Sequence, residues 1–230
     1  MRKLFSLKID LDFLCIIRIL ENNNTETEEN YGLYDFKVQN EKISGVFWQR
    51  EKSVILNEFN ITTTEPLTFF KVNRFDFKIQ PIKNKEFLLN IQSSSKSIKE
   101  FLKFLQEQLN TKVYISQIDV FLPSLISYLK EQKPPLLKIT HAYATNTTLS
   151  SHEKITFSIY SDEDAIRSAN KALNIDSIVF DRVKIQSFLQ GIPGFLDIRS
   201  NCLYNITKES SELEHLLINY IINALSESRN

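Results

Sequence analysis

RFDFKIQPIKNKEFLLNIQSSSKSIKEFLKFLQEQLN, residues 74–110, changes its hydrophobic period halfway along. Up to Gln92 it reads as two strands, near 74–80 and 86–92, rich in the aromatic and β-branched residues a pleated surface favours. From Ser95 the spacing becomes helical. Ile98, Phe101, Leu102, Leu105 and Leu109 share one face, and Lys96, Lys99 and Lys103 share another. Ser97 followed by Glu100 has capping-box spacing.

Before this stretch the chain reads as strands. Residues 3–20 are expected to form one long strand or two short ones, with Leu7, Ile9, Leu11 and Phe13 on one face. An acidic, Asn-rich connection spans 21–31, and strands are expected near 33–39, 43–49, 52–59 and 67–72. After it come a strand at 112–119 and a helix near 123–132, with Pro123 suited to a first turn. Pro134 and Pro135 stop that helix and mark the expected domain boundary. Beyond them the order reads as strand 136–145, strand 153–160, helix 162–173, strand 177–189, strand 195–206 and helix 210–226. The expected fold is α+β and largely antiparallel. Residues 1–133 form a strand-rich lobe with helices near 96–110 and 123–132, and 136–230 form a ββαββα lobe.

The chain has only four glycines in 230 residues, where average usage gives about sixteen. Phosphate cradles, dinucleotide-binding turns and nucleophile elbows need glycine at fixed spacings, and Gly32, Gly45, Gly191 and Gly194 supply none of them. The pair Gly191 and Gly194 brackets Pro193 as in a tight hairpin loop. Nothing in the sequence calls for a cofactor. Two cysteines, Cys15 and Cys202, each in an apolar strand-like stretch, make neither a disulfide framework nor a zinc site. With no segment that reads as a leader or a membrane span, the expectation is a cytoplasmic protein that does not engage membranes.

Charge is balanced overall, 28 basic against 28 acidic residues, so any polyanion contact needs a local patch. Residues 71–112 hold one: nine basic residues against four acidic, a net of +5, interleaved with Phe69, Phe70, Phe75, Phe77 and Phe87. Arg74 and Lys78 share a strand face; with Lys96, Lys99 and Lys103 they are the candidate nucleic-acid-binding residues. Asp10 and Asp12, two apart in the expected strand, would direct both carboxylates to one side, with Asp76 as third metal ligand. His141 and Tyr143 share a face with Leu137 and Ile139.

Three functions follow as expectations. The first is a non-catalytic binding or scaffold subunit of a larger assembly, with a protein partner and contacts to nucleic acid through residues 69–112. The second is a divalent-metal phosphodiesterase or nucleotidyl enzyme using Asp10, Asp12 and Asp76. The third is a small-molecule sensor with a pocket in the C-terminal ββαββα half, a reading that a pocket lined by His141 and Tyr143 would favour.

Overall fold

Strand β1 (Arg2–Ile9) is followed by helix α1 (Phe13–Asn22), where the expectation is one long strand or two short ones over 3–20. The Asp12 carbonyl accepts the amides of Cys15 and Ile16, so the first helical turn closes there. Ile16 and Leu20 are buried, whereas Cys15 is an exposed helix residue and not part of a strand. The computed structural model describes residues 1–22, 30–55, 67–92, 98–132, 137–148, 154–173, 178–189 and 192–227. The expected boundary at Pro134 and Pro135 lies outside them, as do Lys96, the Ser97 cap and Gly191.

The remaining elements are β2 (Tyr31–Gln39), β3 (Lys42–Ile55), β4 (Leu67–Lys83), β5 (Glu86–Gln92), α2 (Ile98–Leu109), β6 (Val113–Gln117), α3 (Leu122–Glu131), β7 (Lys138–Thr148), β8 (Lys154–Tyr160), α4 (Ala165–Leu173), β9 (Arg182–Leu189), β10 (Ile192–Arg199), β11 (Leu203–Ile206) and α5 (Ser211–Glu227). The fold is mixed α+β with strand-rich, antiparallel pairing. β3 and β4 are each continuous where the sequence suggested a break, and residues 195–206 form two strands where one was expected. Among the described residues no helix is long and apolar enough to cross a membrane.

Two units form, Ser6–Ser116 and Met1–Phe5 with Gln117–Asn230. In the 6–116 unit the strand order is β2-β3-β4-β5-β1, with β6 also beside β1. β1 thus lies between β5 and β6, the two strands joined through α2, which is a split βαβ arrangement. One sheet face is covered by helices. Phe47, wholly buried, meets Phe101, Phe75 and Phe104 at ring-centroid distances of 5.3, 5.4 and 5.7 Å, and Phe77 meets Phe101 at 4.9 Å. Phe13 of α1 meets Phe87 at 6.0 Å. Aromatic pairs at such spacings add to area burial.

In the 117–230 unit the order is β11-β10-β9-β7-β8, with Arg2 and Lys3 of β1 paired to β11. Ala142, Ala144, Val183, Ile185, Leu196 and Ile198 line its buried face. Helix α4 starts at the Asp164 carboxylate, which accepts the amides of Ile166 and Arg167 at 2.9 and 3.1 Å. Helix α5 buries Leu213, Leu217 and Ile221, and its Glu214 accepts from Arg2 and Tyr204.

Scarce glycine is met by other residues at the turns. Asn40 and Glu41 close the β2–β3 hairpin, and Asn84 and Lys85 the β4–β5 hairpin, all with positive φ. Two positive-φ residues between paired strands match the twist of a hairpin, and asparagine tolerates that region best after glycine.

Candidate functional site

Each unit leaves one sheet face accessible, and the candidate residues divide between these two faces. In the 6–116 unit, alternation along β4 buries Phe75, Phe77 and Ile79 under the helices. Arg74, Asp76 and Lys78 therefore emerge on the opposite, exposed side. Antiparallel register brings Trp48 opposite Arg74, Arg50 opposite Val72 and Lys52 opposite Phe70 on that same side. Lys37 joins them through its pairing with Ser44. Val72 and Phe70 are 55% and 57% exposed, and the Arg50 guanidinium lies over the Phe70 ring at 5.5 Å. The indole of Trp48 lies across Gly32, its partner on β2, where an added Cβ would stand 3.0 Å from Nε1. Glycine at this position keeps the indole flat against the sheet.

The basic zone read from the sequence does not form one groove. Arg74 and Lys78 stand on the accessible face. Lys99 and Lys103 are exposed on α2, the helix that packs on the other face through Phe101 and Phe104. Lys103 is also 3.7 Å from Glu107, one helical turn away. The interleaved phenylalanines divide too: Phe75, Phe77 and Phe87 are core, while Phe69 and Phe70 are exposed. Trp48, Arg50 and Lys52 lie outside the span chosen from composition, and only the β3–β4 register identifies them.

The three aspartates proposed as metal ligands are not gathered. Asp10 follows β1 and accepts a hydrogen bond from Lys85 Nζ at 2.6 Å, which holds its carboxyl below the ordinary range. Asp12 opens α1, so the two do not share a strand face. Asp76 lies on β4 between Arg74 and Lys78. Among the described residues no group of three or more His, Cys, Asp or Glu is placed to hold a metal ion.

The accessible face of the 117–230 unit carries a cleft of about 580 Å³. Its lining includes His141 and Tyr143 of β7, Ser158 and Tyr160 of β8, Arg182 of β9 and Arg199 of β10. His141 reaches this face through a backbone irregularity. Ile139 pairs with Ile185 and His141 with the next residue back, Lys184, so Thr140 is an extra residue in β7. Ile139 and Ala142 are both buried, and His141 and Tyr143 emerge on the other side. The expected grouping of His141 with Ile139 is thereby overturned, because one added residue inverts the facing of all that follows.

Most of the cleft's groups are fixed by one another. His141 and Tyr160 stack with centroids 4.1 Å apart and planes 14° from parallel, and His141 Nε2 is 2.6 Å from Ser158 Oγ. Arg182 Nε donates to Asp197 Oδ1 at 2.7 Å and its Nη2 donates to Oδ2, a two-pronged pair. Asp181 Oδ2 accepts both the amide and the hydroxyl of Thr145 at 2.6 Å. Partial burial, helped by the charges of Arg182 and Lys184, pushes the His141 imidazolium toward its neutral form. Farther along the same face the Lys184 ammonium sits 4.5 Å from the Phe195 ring centre, in a recess of about 180 Å³. Cys202, at positive φ and fully buried, has its thiol pushed up to about 12 by burial, which makes it an inert packing residue. No protein-family model matches this chain, and no curated protein matches its sequence.

Proposed function

We propose that this chain is a non-catalytic nucleic-acid-binding component that takes single strands on the accessible face of β3 and β4. The observation that carries the reading is the register of those strands. It sets Trp48 and Phe70 among Arg50, Lys52, Arg74 and Lys78, with Asp76 as the acid among them. Aromatic faces on which bases stack contribute roughly 1–3 kcal/mol per base, and cations beside them neutralise phosphates. Such a surface is tolerant of sequence and sensitive to salt.

Fluorescence anisotropy of labelled single-stranded DNA and RNA across about 50–200 mM salt tests the reading. Arg74→Glu with Lys78→Glu should weaken binding at least tenfold and flatten the salt slope by about one per lost phosphate contact. Lys99→Glu with Lys103→Glu, on the helix behind the sheet, should change it little. Equal losses from both pairs would contradict the assignment.

A second reading is a protein partner docking at the outer ends of β3 and β4. It is favoured by Phe69, Phe70 and Val72, all exposed near the start of β4, Phe70 and Val72 on the side of Arg74 and Phe69 on the other. It predicts that Phe69→Ser and Val72→Ser leave oligonucleotide affinity intact while weakening association with that partner.

A further inference from the structure

We propose that the cleft on the 117–230 unit is a binding site for a ribonucleoside monophosphate. Three features of its lining match the three parts of such a molecule. A planar base needs a ring to stack on, and Tyr160 provides it: its ring is backed by His141 at 4.1 Å and the residue is 76% exposed. Stacking on a ring already held by a neighbour loses little side-chain freedom. A phosphate needs an uncompensated cation. Arg182 is committed to Asp197, whereas Arg199, directly opposite it on β10, has no ion pair among the described residues. Its planar, permanently charged guanidinium suits phosphate oxygens better than a lysine would. A ribose diol needs an oriented acceptor, and the Asp181 carboxylate is aimed by two donors of Thr145; an acidic side chain is a common partner for sugar hydroxyls.

The size also agrees. About 580 Å³ lies within the range of roughly 300–1,000 Å³ typical of small-molecule sites. The bulge at Thr140 is the device that creates the site: without the extra residue, His141 and Tyr143 would face the helices. His141, hydrogen-bonded to Ser158, supports the stack and touches neither the sugar nor the phosphate in this arrangement. The assignment does not depend on the nucleic-acid reading, since every residue it uses belongs to the other unit.

The test titrates the full chain with AMP, GMP, CMP and UMP and follows the His141 ring protons by NMR while recording Trp48 fluorescence. At least one nucleotide should bind with Kd below about 1 mM, the weak end of specific affinity. Arg199→Gln and Tyr160→Ala should each raise that Kd at least tenfold, with far-UV circular dichroism confirming that both variants are folded. For the best nucleotide, the matching nucleoside, the matching 2′-deoxynucleotide and ribose 5-phosphate should each bind more weakly, having lost the phosphate, the diol or the base. His141 should shift and Trp48 should not. No binding by any of the four, binding that both substitutions leave intact, or binding that quenches Trp48 while His141 stays still would overturn the proposal. A single strand that moves the His141 signals more tightly than its own mononucleotide would equally overturn it, by making the cleft part of a polymer site.

Discussion

The two sheet faces share a plan and differ in how their charges are spent. Both units cover one side of an antiparallel sheet with helices and leave polar and aromatic residues on the other. On the β3–β4 face the cations outnumber the acids, with Arg50, Lys52, Arg74 and Lys78 against Asp76. On the β7–β10 face the groups are largely bonded to each other: Arg182 to Asp197, His141 to Ser158 and Tyr160, Asp181 to Thr145. A row of loosely held cations suits a flexible polyanion whose charges recur along its length. A set of mutually fixed groups around one cleft suits a compact molecule, because its orientation is settled before binding. The cores differ in parallel, with phenylalanines in edge-on and tilted contact under the first face and small or branched aliphatics under the second.

Substitutions can separate the two faces by magnitude. The largest effect is expected from Phe47→Ala, which removes the ring at the centre of the aromatic cluster and should cost about 3–5 kcal/mol in urea unfolding. Ile185→Val in the other core should cost only about 0.5–1.5 kcal/mol. Next is Gly194→Ala. The new methyl would overlap Ser210 Oγ, and about 1–3 kcal/mol of strain should appear as a lower Tm. Adding Ser210→Ala should recover much of that loss, since the remaining neighbours stand at 3.1 and 3.3 Å.

Smaller effects test the electrostatics of the cleft. Asp197→Asn should cost no more than about 1 kcal/mol, because the pair it breaks is partly solvated. It should also lower the pKa of His141, since Asp197 favours the imidazolium, whereas Arg182→Gln should raise it. NMR titration of the His141 ring reads both directions. His141 has a folded pKa below its unfolded value of 6.5, so the unfolded chain takes up the proton first. Stability from this group is therefore unaffected at neutral pH and is lost as pH falls through 6.5 toward the folded value; His141→Phe should flatten that slope. The smallest effect is chemical. A thiol reagent should label the exposed Cys15 in the folded protein and reach Cys202 only on unfolding.

What the sequence disclosed and what it hid follow from the range of each interaction. The period change after Gln92, the helix behind Pro123 and the β5 limits depend on neighbours in the chain and were readable. Helix α1 was not, because FLCII is apolar at every position and fits strand or helix alike until Asp12 opens the first turn. The facing of His141 was hidden by the bulge at Thr140, which no alternation pattern reveals. The partition of the basic zone was hidden for another reason. Sequence shows that Lys99 and Lys103 share a helix face and that Arg74 and Lys78 share a strand face, but only packing decides that the helix lies behind the sheet. Trp48 and Arg50 stood outside the chosen span and entered through cross-strand register alone.

The most direct test uses the single tryptophan, which reports from the β3–β4 face alone. Titrating the full chain with an unlabelled single-stranded oligonucleotide should quench Trp48 fluorescence in a saturable way. The midpoint should move to higher concentration with salt, and further with Arg74→Glu and Lys78→Glu. Tight, salt-sensitive binding seen by anisotropy with no change at Trp48 would contradict the assignment of that face, and no binding at low salt would contradict the nucleic-acid reading as a whole.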